Sequence, residues 1–196
     1  MISRRKFIKT AGWGALPVLA TLNACETVTG HAGEDDWRAD YNIMGDAARF
    51  EAGTIVTYQS MLDSGILSDA PPPLLAEMNA RLFKSHHDEH LAAFNQAFAA
   101  KGLETVDTDG VTADPRLDDA GNWRDALILA LNMEFEAAQF YFSRMTDQLT
   151  TTSVRKLFAN IFPIEMSHAV AFKFILGEQP AINAGLFEKF SIAVKL

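Results

Sequence analysis

Glu51-Ala52-Gly53-Thr54-Ile55-Val56-Thr57-Tyr58 and Glu134-Phe135-Glu136-Ala137-Ala138-Gln139-Phe140-Tyr141 share one pattern, a glutamate with a tyrosine seven residues on. Downstream of the first stands His87-Asp88-Glu89-His90, and downstream of the second Glu165-Met166-Ser167-His168. On a helix, i and i+3 share a face, and i and i+7 return to nearly the same face two turns later. The order Glu-Tyr, His-His, Glu-Tyr, Glu-His therefore predicts four helices that aim carboxylates and imidazoles inward at one level. Such a set of donors is a candidate two-metal cage.

The residues around each pattern support the helices. Met44, Ala48, Glu51, Ile55, Tyr58 and Leu62 recur at spacings of four and three, the seam of a bundle helix, and predict a first helix from about Ala39 to Leu67. Pro71-Pro72-Pro73 stops it and starts a second, from about Pro73 to Ala100, with seam Ala76, Ala80, Phe83, His87, His90, Phe94 and Ala97. Gly102 suits its C-terminal cap. Residues 102–122 lack helical periodicity and carry Asp, Gly, Thr and Pro115, so they read as a long crossover. A third helix is predicted over about Trp123–Leu149 (Leu127, Leu131, Glu134, Ala138, Tyr141, Met145). A fourth follows over about Thr152–Leu176 (Phe158, Ile161, Glu165, His168, Phe172, Ile175). Thr151, Thr152 and Ser153 are good helix starters, and Gly177 suits the end. Pro163 lies inside the fourth helix, where it removes a backbone hydrogen bond and is expected to kink it. The two halves read as a pseudo-repeat, which places two metal sites about a pseudo-twofold axis.

The first 24 residues have a different character. Ser3-Arg4-Arg5-Lys6-Phe7-Ile8-Lys9 followed by the acid-free apolar run Ala11–Ala20 resembles a twin-arginine export signal. A spanning helix needs roughly 20 apolar residues, so a membrane anchor is the weaker reading of this run. The resemblance implies export of a folded protein by the twin-arginine machinery to the periplasm or cell envelope. Cys25, the one cysteine, follows Leu22-Asn23-Ala24, which resembles a lipoprotein processing box. If Cys25 is lipidated it becomes the membrane-attached N-terminus; otherwise a signal peptidase cuts nearby. One cysteine excludes an internal disulfide and a thiolate zinc cluster. Residues 25–40 are polar and read as a tether, and residues 177–196 as a tail able to form a short fifth helix. The net charge of −8, more acidic still once Arg4, Arg5, Lys6 and Lys9 are removed, speaks against nucleic acid as a partner.

Residues 41–176 resemble the ferritin-like superfamily, specifically its exported bacterial members. The resemblance implies an all-α four-helix bundle with one long crossover between helices 2 and 3. It also implies Glu51 and Glu134 as terminal carboxylates, Glu165 as a bridging carboxylate and His90 and His168 as imidazole ligands. Tyr58 and Tyr141 are then outer groups that orient ligands by hydrogen bonds. Iron is the implied metal, one or two ions, with zinc and manganese the other ions of this class, and dioxygen or peroxide the implied reactant in oxidase, ferroxidase or peroxidase chemistry. One position departs: where the family has glutamate, this chain has His87. The cage then has three carboxylates rather than four, which favours one strong metal site with a weaker second and shifts preference from manganese towards iron, zinc or copper.

His86 pairs with His90 at i+4, an alternative chelating spacing, but Phe83 and Phe94 favour His87 and His90 as the inner pair. Asp88, Glu89 and Glu136 read as surface groups, and Met133, Met145 and Met166 as core filler. The opposing reading is a metal-free bundle that pairs these charges with one another, serving as a non-catalytic binding or structural module. A small homo-oligomer suits the tether and tail better than a closed storage shell. Serine and cysteine nucleophile motifs and phosphate-cradling glycine loops are absent from the sequence.

Overall fold

Buried seams drive the architecture. Met44, Ala48 and Tyr58 on one helix, Ala80 and Phe94 on the next, Leu127, Ala138 and Tyr141 on the third and Phe158 and Phe172 on the fourth are all fully enclosed. The computed structural model describes residues 34–71 and 73–177. Within them lie α1 (Glu34–Asp63), α2 (Pro73–Ala100), α3 (Trp123–Asp147) and α4 (Thr152–Ile175), with one short 3₁₀ turn, Pro115–Asp119. All regular structure among the described residues is helical, and no helix there is long and apolar enough to cross a membrane. The expected signal at 1–24, Cys25, the first part of the expected tether and the tail beyond Gly177 lie outside the described residues.

Pairings fix the topology. Tyr41 meets Phe98, while Tyr58 stacks beside His87, so α1 and α2 are antiparallel. Arg124 at the start of α3 bonds the carbonyl of Leu176, and Phe142 meets Phe162, so α3 and α4 are antiparallel as well. Tyr58 reaches Glu134 and Tyr141 reaches Glu51, so α1 also opposes α3. Helices α2 and α3 therefore run in the same direction, and the connection between them must travel the length of the bundle. This is the geometric reason for the long crossover.

That crossover is pinned at several points. The Asn95 side chain donates to the Val106 carbonyl at 2.7 Å and accepts from its N–H at 2.9 Å. The Asp114 N–H donates to Thr57 Oγ1 on α1 at 2.8 Å. Arg116 joins Asp114 to Glu136 on α3. Asp114 also caps the 3₁₀ turn, whose first residue is Pro115; the lack of periodicity here held no signal for this turn.

Helix ends follow local chemistry, with two corrections. Gly102 at φ 67° closes α2 through Gly102 N–H to Ala99 O and Leu103 N–H to Phe98 O, and Gly177 at φ 80° follows α4. The first helix begins at Glu34 and ends at Asp63, rather than spanning 39–67, so residues 34–40 are helical and not tether. The start of α4 is not held by its own threonines. Thr151 occupies its N-cap position but makes no side-chain cap bond. Buried Asp40 of α1 accepts from the Thr150 N–H at 3.0 Å and from the Thr151 N–H instead. A carboxylate there also meets the positive end of the helix dipole. Pro163 does not end α4. It sits on the exposed face, where the carbonyl it leaves unpaired on Ala159, also exposed, can reach water.

Candidate metal centre

The helices place six ionisable side chains in one layer. Glu51, His87, His90, Glu134, Glu165 and His168 are all buried, between two apolar clusters. One cluster contains Tyr58, Phe83, Leu127 and Phe172; the other contains Phe94, Tyr141, Phe158 and Ile161. Two overlapping donor sets result, Glu51–His87–His90–Glu165 and His87–Glu134–Glu165–His168, each with one ligand atom per residue within 4.8 Å of the others. His87 and Glu165 belong to both sets, so they occupy the middle of the cage, and every residue expected to face it does so.

The pseudo-symmetry is reciprocal. Tyr58 Oη donates to Glu134 Oε1, and Tyr141 Oη donates to Glu51 Oε1. His90 Nδ1 lies 3.5 Å from Glu51 Oε2, and His168 Nδ1 lies 3.1 Å from Glu134 Oε2. Each half thus offers a tyrosine-held glutamate and an imidazole whose Nδ1 faces inward.

The centre is not symmetric. His87 Nδ1 stands 2.6 Å from Glu51 Oε2, and its Nε2 stands 3.3 Å from Glu134 Oε1 and 3.9 Å from Glu165 Oε2. Its ring lies between the two terminal carboxylates. Glu165 has no hydrogen-bond partner on either oxygen, and His90 has none on either nitrogen. His90 Nδ1 is 2.9 Å from Glu165 Oε1, close enough for charge attraction but not aligned as a hydrogen bond. Buried polar groups without partners are costly, so the two Glu165 oxygens and the inward His90 Nδ1 mark where a cation fits the donors.

Electrostatics follows from burial and proximity. Burial alone would lower the His87 pKa, but Glu165, Glu134 and Glu51 outweigh it and raise it well above the usual range. The same contest raises His168, chiefly through its bond to Glu134, and raises His90 to about 9 through Glu165 and Glu51. Burial would raise Glu134, yet the His87 charge and the His168 bond hold it well below the ordinary carboxylate value, and His87 and His90 lower Glu51 likewise. Glu165 is raised, by burial and then by the two other carboxylates, despite His87. Tyr58 and Tyr141 are pushed well above the usual phenol value, so they remain donors.

One participant lies off the seam pattern. His86 is half-buried, and its Nδ1 lies 2.8 Å from His168 Nε2, with the two rings near parallel. Phe83 stacks on His168 as well, ring centroids 4.1 Å apart. The i+4 relation of His86 to His90 pointed to the wrong partner, because His86 reaches across to α4. Asp88 and Glu136 lie on the surface in ion pairs with Lys84 and Arg116, and Glu89 is exposed.

Neither a protein-family model nor a curated protein matches the chain. Among solved structures, the chain is similar to the crystal structure of a conserved hypothetical protein, rv2844, from Mycobacterium tuberculosis, at 20% identity and a TM-score of 0.58. The match covers 76% of this chain and 98% of that one. At that identity the likeness concerns the fold, which both molecules share over nearly the whole of the other protein.

Proposed function

We propose that this chain is an exported metalloprotein of the ferritin-like superfamily, whose cage holds one or two iron ions and carries out redox chemistry with dioxygen or peroxide. The observation that supports it most is the set of buried, unpartnered atoms on Glu165 and His90 inside two overlapping four-donor sets. Three carboxylates and three imidazoles at one level of an apolar core are the donors such an ion requires. Iron bound there would supply one-electron chemistry; zinc or manganese would fit the donors without the same redox range.

The protein's own contribution is positional. Tyr58 and Tyr141 each hold one oxygen of a terminal glutamate and leave the other turned inward. The two apolar clusters close the cage above and below and keep bulk water out. Glu165, free of hydrogen bonds, can shift between the two donor sets. The twin-arginine motif at Ser3–Lys9 supports loading before export to the periplasm or envelope, and Cys25 supports attachment to a membrane by lipid.

His87 favours a second reading. With a nitrogen facing each terminal glutamate it can hydrogen-bond both and, as an imidazolium, offset one of their two charges, and the cage then serves as a non-catalytic binding or structural module. The test is anaerobic addition of iron(II) followed by oxygen, with oxygen uptake recorded. Uptake and iron oxidation in the natural protein, lost in Glu165→Ala, support the redox reading; full activity in Glu165→Ala overturns it. Turnover that appears only in His87→Glu identifies the natural protein as a binder.

A further inference from the structure

The two halves of the cage are unequally prepared for a metal, and the inequality arises from two separate contacts. The first is at the outer nitrogens of the two inward-facing histidines. His168 Nε2 has His86 Nδ1 at 2.8 Å, and its ring is clamped beneath Phe83. His90 Nε2 is buried and has no partner. In the repeat, Ile164 precedes Glu165 as His86 precedes His87, and an isoleucine can neither donate nor accept. An imidazole that binds metal through Nδ1 carries its proton on Nε2, and an acceptor for that proton fixes tautomer and ring orientation. His86 supplies the acceptor for His168; His90 lacks one.

The second contact is at His87. Its shorter approach is Nδ1 to Glu51 Oε2 at 2.6 Å, against 3.3 Å from Nε2 to Glu134 Oε1. When a metal displaces its second proton, the ring that donates Nδ1–H to Glu51 turns the Nε2 lone pair towards Glu134, Glu165 and His168. Glu51 then has both oxygens occupied, Oε1 by Tyr141 and Oε2 by His87. Glu134 Oε2 still faces His168 Nδ1 at 3.1 Å, where an ion would sit between them.

We propose that the cage loads in order: the first divalent ion goes to Glu134, Glu165, His168 and His87 Nε2, with His86 as the positioning residue that holds His168, and the Glu51–His90 half binds later and more weakly. The proposal rests on the metal-centre reading above and assigns its inequality to named residues.

Cobalt(II) alone is the probe, titrated into the metal-free full chain and followed by calorimetry and by its visible absorption bands. The wild type is expected to bind in two steps, the first at least about tenfold tighter. Losing an outer partner typically weakens a metal site by roughly 10–100-fold, so His86→Ala should weaken the first step by that factor and leave the second alone. His86→Asn keeps an acceptor where Nδ1 stands and should restore the first step and its spectrum, which a merely structural role for His86 would not require. A crystal grown with less than one equivalent of cobalt should place its anomalous signal between Glu134 and His168, a result that needs no variant. An ion found first between Glu51 and His90, or an unchanged first step in His86→Ala, overturns the loading order while leaving a metal centre intact. No cobalt binding by the wild type overturns the metal-centre reading and this inference together.

Discussion

The α1–α2 half and the α3–α4 half are built to one plan and differ at a few positions, and those differences carry the chemistry. Each half lends a glutamate that accepts from the other half's tyrosine, and each lends an imidazole with Nδ1 inward. The shared plan sets the cage geometry. Where α4 has Glu165, α2 has His87; where α4 has Ile164, α2 has His86. Exchanging one carboxylate for an imidazole means that three carboxylates balance one divalent ion together with one imidazolium. It also gives the buried charges a way to pair with no ion at all. A repeat can therefore keep its fold while one half becomes a ligand set and the other partly becomes its counter-charge.

The comparison breaks most visibly at the terminal glutamates. Glu134 is hydrogen-bonded by Tyr58, His87 and His168, whereas Glu51 is hydrogen-bonded by Tyr141 and His87 and has His90 only at 3.5 Å. Removing one partner of a buried charged set costs roughly 3–5 kcal/mol. Glu134→Ala is expected near that figure and Glu51→Ala below it, measured by urea unfolding of the metal-free protein. Equal losses would mean that the His168 bond to Glu134 contributes no more than the looser approach of His90 to Glu51.

Acidity sharpens the same comparison. In the metal-free protein His90 has its pKa raised to about 9, and His87 and His168 are raised too. A group with a raised folded-state pKa stabilises fully below its unfolded value, about 6.5, and loses that contribution as pH rises through the folded one. Thermal stability of the metal-free protein should fall between pH 6.5 and about 9, by on the order of 2–3 kcal/mol from His90. Metal binding needs deprotonated ligands, so the loaded protein should gain over the same interval. Matching unfolding curves with and without iron(II) or cobalt(II) read both slopes, and parallel slopes would refute the exchange of protons for metal.

Much of this was legible in the sequence because a polar residue on an apolar seam is conspicuous: Glu51 stands between Ala48 and Ile55, and Glu165 between Ile161 and Phe172. The bounds of α2 were legible because Pro73 and Gly102 mark both ends. What stayed hidden depends on where one helix sits against another. His86 flanks the seam, and only the approach of α2 to α4 gives it His168. Asp40 lies in a charged stretch that reads as tether, yet it caps α4 from a position 110 residues away. No local pattern can encode a partner at that separation, and Thr151 drew the cap assignment because it is adjacent. The pins from Asn95 and Thr57 to the crossover were hidden for the same reason.

The caps provide the next expected effect. Helix α3 is capped locally by Asn122, whose side chain accepts from the Arg124 and Asp125 N–H groups, while α4 is capped by the opposite half. Asp40→Ala should cost about 1–2 kcal/mol, and Thr151→Ala close to nothing, since its hydroxyl makes no bond. A larger loss in Thr151→Ala by thermal unfolding would show that the local residue is the cap after all. The smallest effect concerns Gly53, which corresponds in the repeat to Glu136. A Cβ at Gly53 meets nothing within 4 Å, so Gly53→Ala in the middle of α1 should stabilise by roughly 0.5–1 kcal/mol. A loss instead would reveal a need for flexibility in α1 that α3 does not share.

Metal content is the decisive property of the cage. Protein purified from cells that make it, beside a Glu165→Ala control, is analysed by mass spectrometry. Between one and two equivalents of iron are expected in the natural protein, with loss of that iron in the variant. No metal in either would contradict it and leave the six buried side chains as a self-neutralising core.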